Sequence, residues 1–367
     1  MTMDRPDRVA DRLAERDLDA LLVTNLVNVF WLTGFTGSSG LAIVGAGGGT
    51  GERLFYTDFR YLSQSAEQVA GGWAREIAQE LLPAAGAALA ATAAGSGKRL
   101  RVGFDDADLS VKDHGMLAAK VADGVELVPA GGLLEELRAI KDPAELEAIR
   151  AATRLADAAL TEVLTRGLAG RTERDVAIDL EFTMRRMGAK APSFPSIIAS
   201  GTHSALPHAV PRDVEIPKGT LVTIDWGAQL DGYASDCTRT YATGELDPRD
   251  REIYDLVLEA QETSLAAVRA GASARDVDAV AREIITAAGH GEHFGHGLGH
   301  GVGAEVHEGP RLSQRSEATL QSGQVVTVEP GVYVPGAVGV RIEDLAVVTD
   351  EGAEILTGLP KHLQVIE

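Results

Sequence analysis

A single cysteine, Cys237, leaves no partner for an internal disulfide, so an apolar core must hold the fold and a reducing compartment suits the chain. Cys237 itself reads as an ordinary strand residue rather than a nucleophile. No apolar run approaches the roughly 20 residues needed to cross a bilayer. The opening MTMDRPDRVADRLAERD is dense in charge where a signal peptide is apolar, and the expectation is a cytoplasmic protein. Positive charge is also scarce. Lys and Arg number 34 against 54 Asp and Glu, a formal net charge of −20. That balance argues against nucleic acid and against anionic membranes as partners.

Apolar residues are plentiful, 45% of a 367-residue chain, which is enough for two sizeable cores. Residues 1–135 mix helical and strand signals. Val9 and Leu13 mark one face of an opening helix, and Ala20–Thr24, Gly40–Val44 and Leu54–Thr57 read as strands. This predicts a separate α/β domain. A boundary falls in GGLLEELRAIKDPAELEAIRAA, where Asp142 can cap a helix that starts at Pro143.

Residues 136–367 contain the same unit twice. Gly219–Gly227 reads GTLVTIDWG and Gly323–Gly331 reads GQVVTVEPG, so Asp225 and Glu329 correspond. Upstream, AGRTERDV matches AGASARDV, and Asp142-Pro143 matches Asp247-Pro248. Each copy predicts two helices (near 143–166 and 173–187, then 248–269 and 274–288) followed by a strand hairpin. The hairpin strands fall near 220–226 and 236–243, then near 324–329 and 340–348. Thr172 with Asp175, and Ser273 with Asp276, suggest capping boxes. The fold class expected is α+β, with the hairpins paired into one sheet under the helices and an internal pseudo-two-fold axis.

Each hairpin carries two acids. Asp225 and Asp236 flank a turn at Asp231-Gly232, and Glu329 and Glu343 flank one at Pro335-Gly336. Pairing about those turns sets the acids of each hairpin roughly opposite one another. Four carboxylates converging in a low-dielectric interior repel one another unless divalent cations neutralise them. Five of the nine histidines lie between 290 and 307: His290, His293, His296, His300 and His307. The path GHGLGHGVG is too rich in glycine for a helical zinc motif and suggests backbone brought close to a ligand. His290 and His293 read as solvated bystanders. Four carboxylates and an imidazole suit Mn²⁺, Fe²⁺, Co²⁺ or Zn²⁺ at two centres.

The segments IDWGAQLDGYASDCTRT, FGHGLGHGVGAEVHE, VTVEPGVY and GVRIEDLAVVT closely resemble the M24 "pita-bread" metallopeptidases. That family includes methionine aminopeptidase, aminopeptidase P and prolidase. NVFWLTGFTGSSG and FYTDFRY resemble the creatinase-type N-terminal domain of its proline-specific branch. The resemblance spans essentially the whole chain. It implies a creatinase-like domain over 1–135 and a pita-bread catalytic domain over 136–367. It implies two divalent cations, manganese first and cobalt or zinc otherwise. Asp225 would bind one through both oxygens, His300 and Glu329 the other, with Asp236 and Glu343 bridging. Glu329 resembles the family's proton shuttle. His208 and His307 match positions that hold substrate and intermediate, and His296 matches another substrate-side histidine. Arg341 and Tyr333 match residues that orient the bridging carboxylates, while His203 receives no role. A homodimer acting on peptides with proline at the second position is implied as well.

Within that branch the expected activity is aminopeptidase P, with Xaa-Pro dipeptidase as the alternative. A dipeptidase needs a positive group for the carboxylate after proline, and TGFTGSSGLAIVGAGGGTGERLF has no arginine before Arg53. Asp58-Phe59-Arg60-Tyr61 resembles small bacterial aminopeptidases P. Arg60 would then reach substrate, in its own or a neighbouring subunit, or simply pair with Asp58. Two weaker alternatives are a methionine aminopeptidase and a non-enzymatic binding protein on the same fold. The second loses the ligand set that this chain keeps.

Overall fold

The structure is a computed structural model that describes residues 4–46, 53–121 and 124–367. Residues 47–52, the glycine-rich part of the stretch that leads to Arg53, lie outside them. The chain divides into two compact units, Met1–Arg138 and Ala139–Glu367.

In the first unit, α1 (Arg5–Glu15), β1 (Ala20–Val23), α2 (Leu26–Thr33), β2 (Gly40–Gly45), β3 (Arg53–Thr57), α3 (Leu62–Gln68) and β4 (Ala74–Ile77) come first. Then follow α4 (Leu81–Ser96), β5 (Leu100–Phe104), α5 (Val111–Val121), β6 (Val125–Pro129) and α6 (Leu133–Ala139). The six strands form one mixed sheet in the order β4-β3-β2-β1-β5-β6. Side chains alternate between its faces. Leu21 and Val23 join a core with Trp31, Phe35 and Leu133, whereas Ala20 and Leu22 join one with Leu89 and Leu117.

The second unit begins with α7 (Pro143–Leu164), α8 (Glu173–Arg186), β7 (Ala191–Pro192), β8 (Ile197–Ser200), β9 (Leu221–Trp226), β10 (Ala228–Leu230), β11 (Tyr233–Ala234) and β12 (Cys237–Ala242). It continues with α9 (Pro248–Ala267), α10 (Ala274–Ala287), β13 (Gly299–Gly301), β14 (Glu308–Leu312), β15 (Val325–Val328) and β16 (Gly331–Tyr333). It ends with β17 (Gly339–Arg341), β18 (Asp344–Val348) and β19 (Ala353–Ile355). Asp142 caps α7 in a full capping box with Glu145. The expected boxes at Thr172 and Ser273 are half made: each hydroxyl accepts the backbone N–H three residues on. An aspartate there is one methylene shorter than the glutamate that returns the bond.

Each copy has its own core, one around Leu160, Leu180 and Trp226, the other around Val257, Val277 and Val328. The hairpins do not share a ladder as expected. One lies in a sheet ordered β12-β9-β8, the other in β14-β13-β15-β18-β19. They meet where Glu343 N–H donates to Thr238 O, 3.1 Å. Alternation along β9 sends Val222, Ile224 and Trp226 into the helix-covered core, and so Thr223 and Asp225 to the opposite face. Along β15, Val326 and Val328 are buried in the same way, which leaves Thr327 and then Glu329 on the inner face.

Candidate metal centre

The register around the inner face corrects one expectation. Asp225 lies opposite Thr238, not Asp236. In the second hairpin Val328 pairs with Asp344 and Gly331 with Arg341, which puts Glu329 opposite Glu343. The positional counterpart of Glu343 is therefore Thr238, and that of Asp236 is Arg341. The two hairpins carry their second acids at different registers, so the site is asymmetric on a symmetric scaffold. Thr238 Oγ1 donates to Glu343 Oε2 at 2.8 Å, joining the two counterparts directly.

A cavity of about 530 Å³ opens over this face. Every expected site residue except Arg60 lines it: Asp225, Asp236, Glu329, Glu343, His208, His296, His300, His307, Tyr333 and Arg341. Arg60 lies in the first unit and forms a bidentate pair with Asp58, at 2.9 and 2.8 Å. His290 and His293 face each other, Nδ1 to Nδ1 at 3.0 Å, beyond α10 and outside the cavity lining. Cys237 is a buried residue of β12 whose thiol is pushed up by burial.

Acceptor atoms of Asp225, Asp236 and Glu343 converge within 4.8 Å of one another. His300 Nδ1 donates to Gly301 O at 3.0 Å, which leaves the Nε2 lone pair aimed at Glu329 Oε1 (3.4 Å) and Asp236 Oδ2 (3.6 Å). Burial holds that imidazole down at about 4, so it is neutral. Burial first, then the charges of Glu343, Asp225 and Glu329, push the Asp236 carboxyl well up. Burial, Glu329 and Asp225 do the same to Glu343. Burial raises Glu329 to about 7, against the pull of Arg341. Asp225 Oδ1 and Glu343 Oε1 are buried and accept no hydrogen bond among the described residues. Acceptors facing acceptors, with orphaned carboxylate oxygens and a neutral imidazole, are a donor set that fits divalent cations.

The supporting contacts come mostly from residues that the motifs did not reveal. Asp225 Oδ2 accepts from Arg341 Nη2 at 2.6 Å, so one of its two oxygens already has a partner. Arg341 also donates to Thr238 Oγ1 (3.0 Å) and to the Tyr333 hydroxyl (2.8 Å). Tyr333 in turn donates to His296 Nε2 at 3.0 Å, because His296 Nδ1 is committed to Gly297 O at 2.8 Å. With both nitrogens occupied, His296 is wall rather than free donor. His208 and His307 are exposed at the cavity, and the His307 ring stands 4.4 Å from His300, edge to face. Thr327 Oγ1 accepts His300 N–H (3.0 Å) and donates to Glu329 Oε1 (3.2 Å), coupling two expected ligands. Arg311 on β14 also lines the cavity, and its guanidinium has no hydrogen bond or ion pair among the described residues.

The glycines beside His300 serve a purpose beyond the one expected. A Cβ at Gly299 would stand 2.0 Å from Thr327 O, and one at Gly301 would stand 2.1 Å from Gly309 O. They let β13 approach its neighbouring strands, and Gly299 also lines the cavity.

His203, given no role by sequence, is structural. Glu173, at the start of α8, accepts from His203 Nδ1 (2.9 Å), Ser200 N (2.9 Å) and Arg212 Nε (3.0 Å), and so anchors the segment that carries His208. Burial pushes the Glu173 carboxyl up, but bonds from Arg212 and Ser200 more than reverse this and hold it at about 2. A depressed carboxyl contributes stability above its unfolded value near 4.5, lost as pH falls toward 2. Acid-unfolding curves of Glu173→Gln should therefore be shallower than wild type in that window. Parallel curves would contradict this.

Comparison with known proteins bears on the family. Residues 147–350 match Metallopeptidase family M24, and residues 5–140 match the Creatinase/Prolidase N-terminal domain. The chain is 41% identical to "Uncharacterized peptidase YqhT" of Bacillus subtilis, over 98% of this chain and 99% of that one. Among solved structures, an Xaa-Pro dipeptidase from Bacillus anthracis superposes with a TM-score of 0.91 at 38% identity, covering 98% of both chains. An X-Pro aminopeptidase from Thermotoga maritima gives 0.87 at 34% identity, covering 96% of this chain and 99% of that one. With a family match over most of the second unit and whole-length relatives of the same architecture, this chain belongs to metallopeptidase family M24 and has its pita-bread fold.

Proposed function

We propose that the chain hydrolyses the bond before proline at the N-terminus of short peptides. The observation that carries this is the convergence of Asp225, Asp236, Glu343, Glu329 and His300 on one cavity. These five residues would hold two divalent cations, and the oxygen-rich set favours manganese, with cobalt or zinc also accommodated. When bound, such cations supply an acidified water and polarise a carbonyl. The chain's own residues do the rest. Glu329, whose carboxylate lines the cavity 3.4 Å from His300 Nε2, takes a proton from the attacking water and returns it to the leaving nitrogen. His208 and His307, exposed on the wall, donate to substrate oxygens. Arg341 fixes Asp225 and, through Thr238, Glu343. We read the first unit as the creatinase-like domain and the second as catalytic, in a cytoplasmic homodimer.

Two forms of this reading are supported. The aminopeptidase P form rests on the Thermotoga maritima relative and on the Asp58–Tyr61 pattern, although Arg60 is already paired with Asp58. The Xaa-Pro dipeptidase form rests on Arg311, a positive group in the catalytic unit that an N-terminal search for arginine misses. Relatives from Bacillus anthracis and Pyrococcus furiosus bear the dipeptidase name. A free guanidinium facing the cavity suits the carboxylate of a dipeptide. Turnover of Xaa-Pro and Xaa-Pro-Yaa by manganese-loaded enzyme separates the two. Arg311→Gln should raise KM for the dipeptide about tenfold or more, the value of a charge-assisted bond, and leave a tripeptide amide unchanged. Exclusive tripeptide turnover, with Arg311→Gln silent, would leave only the aminopeptidase form. Hydrolysis that survives removal of all divalent metal would end both.

A further inference from the structure

The path from Phe294 to His300 is tied to α10 by one buried ion pair. Asp278, with no exposed surface, and Arg282 sit one helical turn apart. Arg282 Nε donates to Asp278 Oδ2 (2.9 Å) and Nη2 to Oδ1 (2.8 Å), a bidentate fork that fixes the guanidinium plane. That plane lies 4.3 Å over the Phe294 ring. Its remaining N–H groups reach two backbone carbonyls, Phe294 O at 3.0 Å and His296 O at 2.9 Å. Asp278 Oδ1 then accepts Leu298 N–H at 2.9 Å. On its other side, Leu298 O accepts the backbone N–H of Glu329 at 2.8 Å. Two residues beyond Leu298 stands His300.

We propose that Asp278 and Arg282 are positioning residues for the metal centre, setting the backbone of Leu298 so that Glu329 and His300 face each other. The proposal rests on the metallopeptidase reading above. Its physical basis is that glycines 295, 297 and 299 give the path little stiffness of its own, so its course is set by what holds it. The first copy offers an internal comparison. At the corresponding places of α8 stand Ala177 and Glu181, and Glu181 accepts a single N–H, from Ser196. The Asp–Arg fork occurs in the copy whose connection carries His300, and there alone among the two.

The test is calorimetric titration of metal-free protein with Mn²⁺, beside steady-state kinetics, for wild type, Arg282→Met, Arg282→Lys and Asp278→Asn. Arg282→Met is expected to weaken binding of one of two ions by about tenfold to a hundredfold and to lower kcat in the same range, with KM little changed. Arg282→Lys, which keeps the charge but not the fork, should recover only part of the loss. Should Arg282→Met not fold, the lysine variant and Asp278→Asn carry the same comparison. Unchanged Mn²⁺ affinity and kcat, with only a lower melting temperature, would overturn the proposal and leave the pair a packing feature. Wild-type protein that binds none of Mn²⁺, Co²⁺ or Zn²⁺ in the same titration would instead overturn the two-cation reading of the site, so the two failures are distinct.

Discussion

Replacing Glu329 by glutamine should lower kcat about 10³-fold or more while leaving the fold intact. The loss combines a proton carrier with a ligand of the metal centre. The fold survives because the side chain is nearly the same shape. Its amide oxygen can keep the bond from Thr327 Oγ1. Its amide nitrogen then takes the place of Oε2, because Oε1 is the atom that meets both Thr327 Oγ1 and His300 Nε2. Removing that charge also relieves Asp236 and Glu343, both pushed up in part by Glu329. In chelator, therefore, Glu329→Gln should melt at or above the wild-type temperature. Hydrolysis within tenfold of wild type would remove Glu329 from the mechanism.

The largest loss of stability is expected at Arg239 and Asp344. Both side chains are only 1% exposed, and Arg239 Nη2 meets Asp344 Oδ1 at 2.9 Å. They occupy corresponding positions in the two hairpins, so the pair joins the copies across the pseudo-two-fold axis. Arg239 also donates to Thr238 O, to Glu343 O and twice to Leu359 O. Asp344 accepts from Gln261, Thr357 and Lys361. Arg239→Met strips these acceptors of their donor without restoring water, and should cost about 3–5 kcal/mol in the unfolding of the second unit. Asp344 keeps Lys361, Gln261 and Thr357 as partners in that variant, so Arg239→Met/Asp344→Leu should lose more than the single variant but less than the sum of the two single losses, because the shared bond is lost once. Denaturant melts of wild type, both single variants and the double variant measure this. A loss below about 1 kcal/mol for the single variant would show that the pair matters little.

Much of this architecture was legible. The duplication placed two αα-ββ units, period-2 alternation put Asp225 and Glu329 on inward faces, and the Asp231-Gly232 turn is a hairpin with both residues at positive φ. The offset between Asp225 and Asp236 is set by the two-residue turn itself: Leu230 pairs with Tyr233, and counting outward from there places Asp225 against Thr238 and Asp236 two positions away. What escaped is instructive. Thr238 and Thr327 look like ordinary strand threonines until one touches Glu343 and the other Glu329. Glu173 and Asp278 look like helix-surface acids, yet each is fully buried against a connection. Arg311 stands in no motif, and only its place on β14 at the cavity wall sets it apart from other arginines.

The sequence alone determined the elements, the duplicated scaffold and the family's set of acids and histidines, because these are written in local periodicity and short motifs. Tertiary structure alone decided which acids of the two hairpins face one another, which oxygens have partners and which arginine at the cavity lacks one among the described residues. Those relations join residues separated by most of a repeat, where burial and backbone register, not neighbouring residues, set the distances.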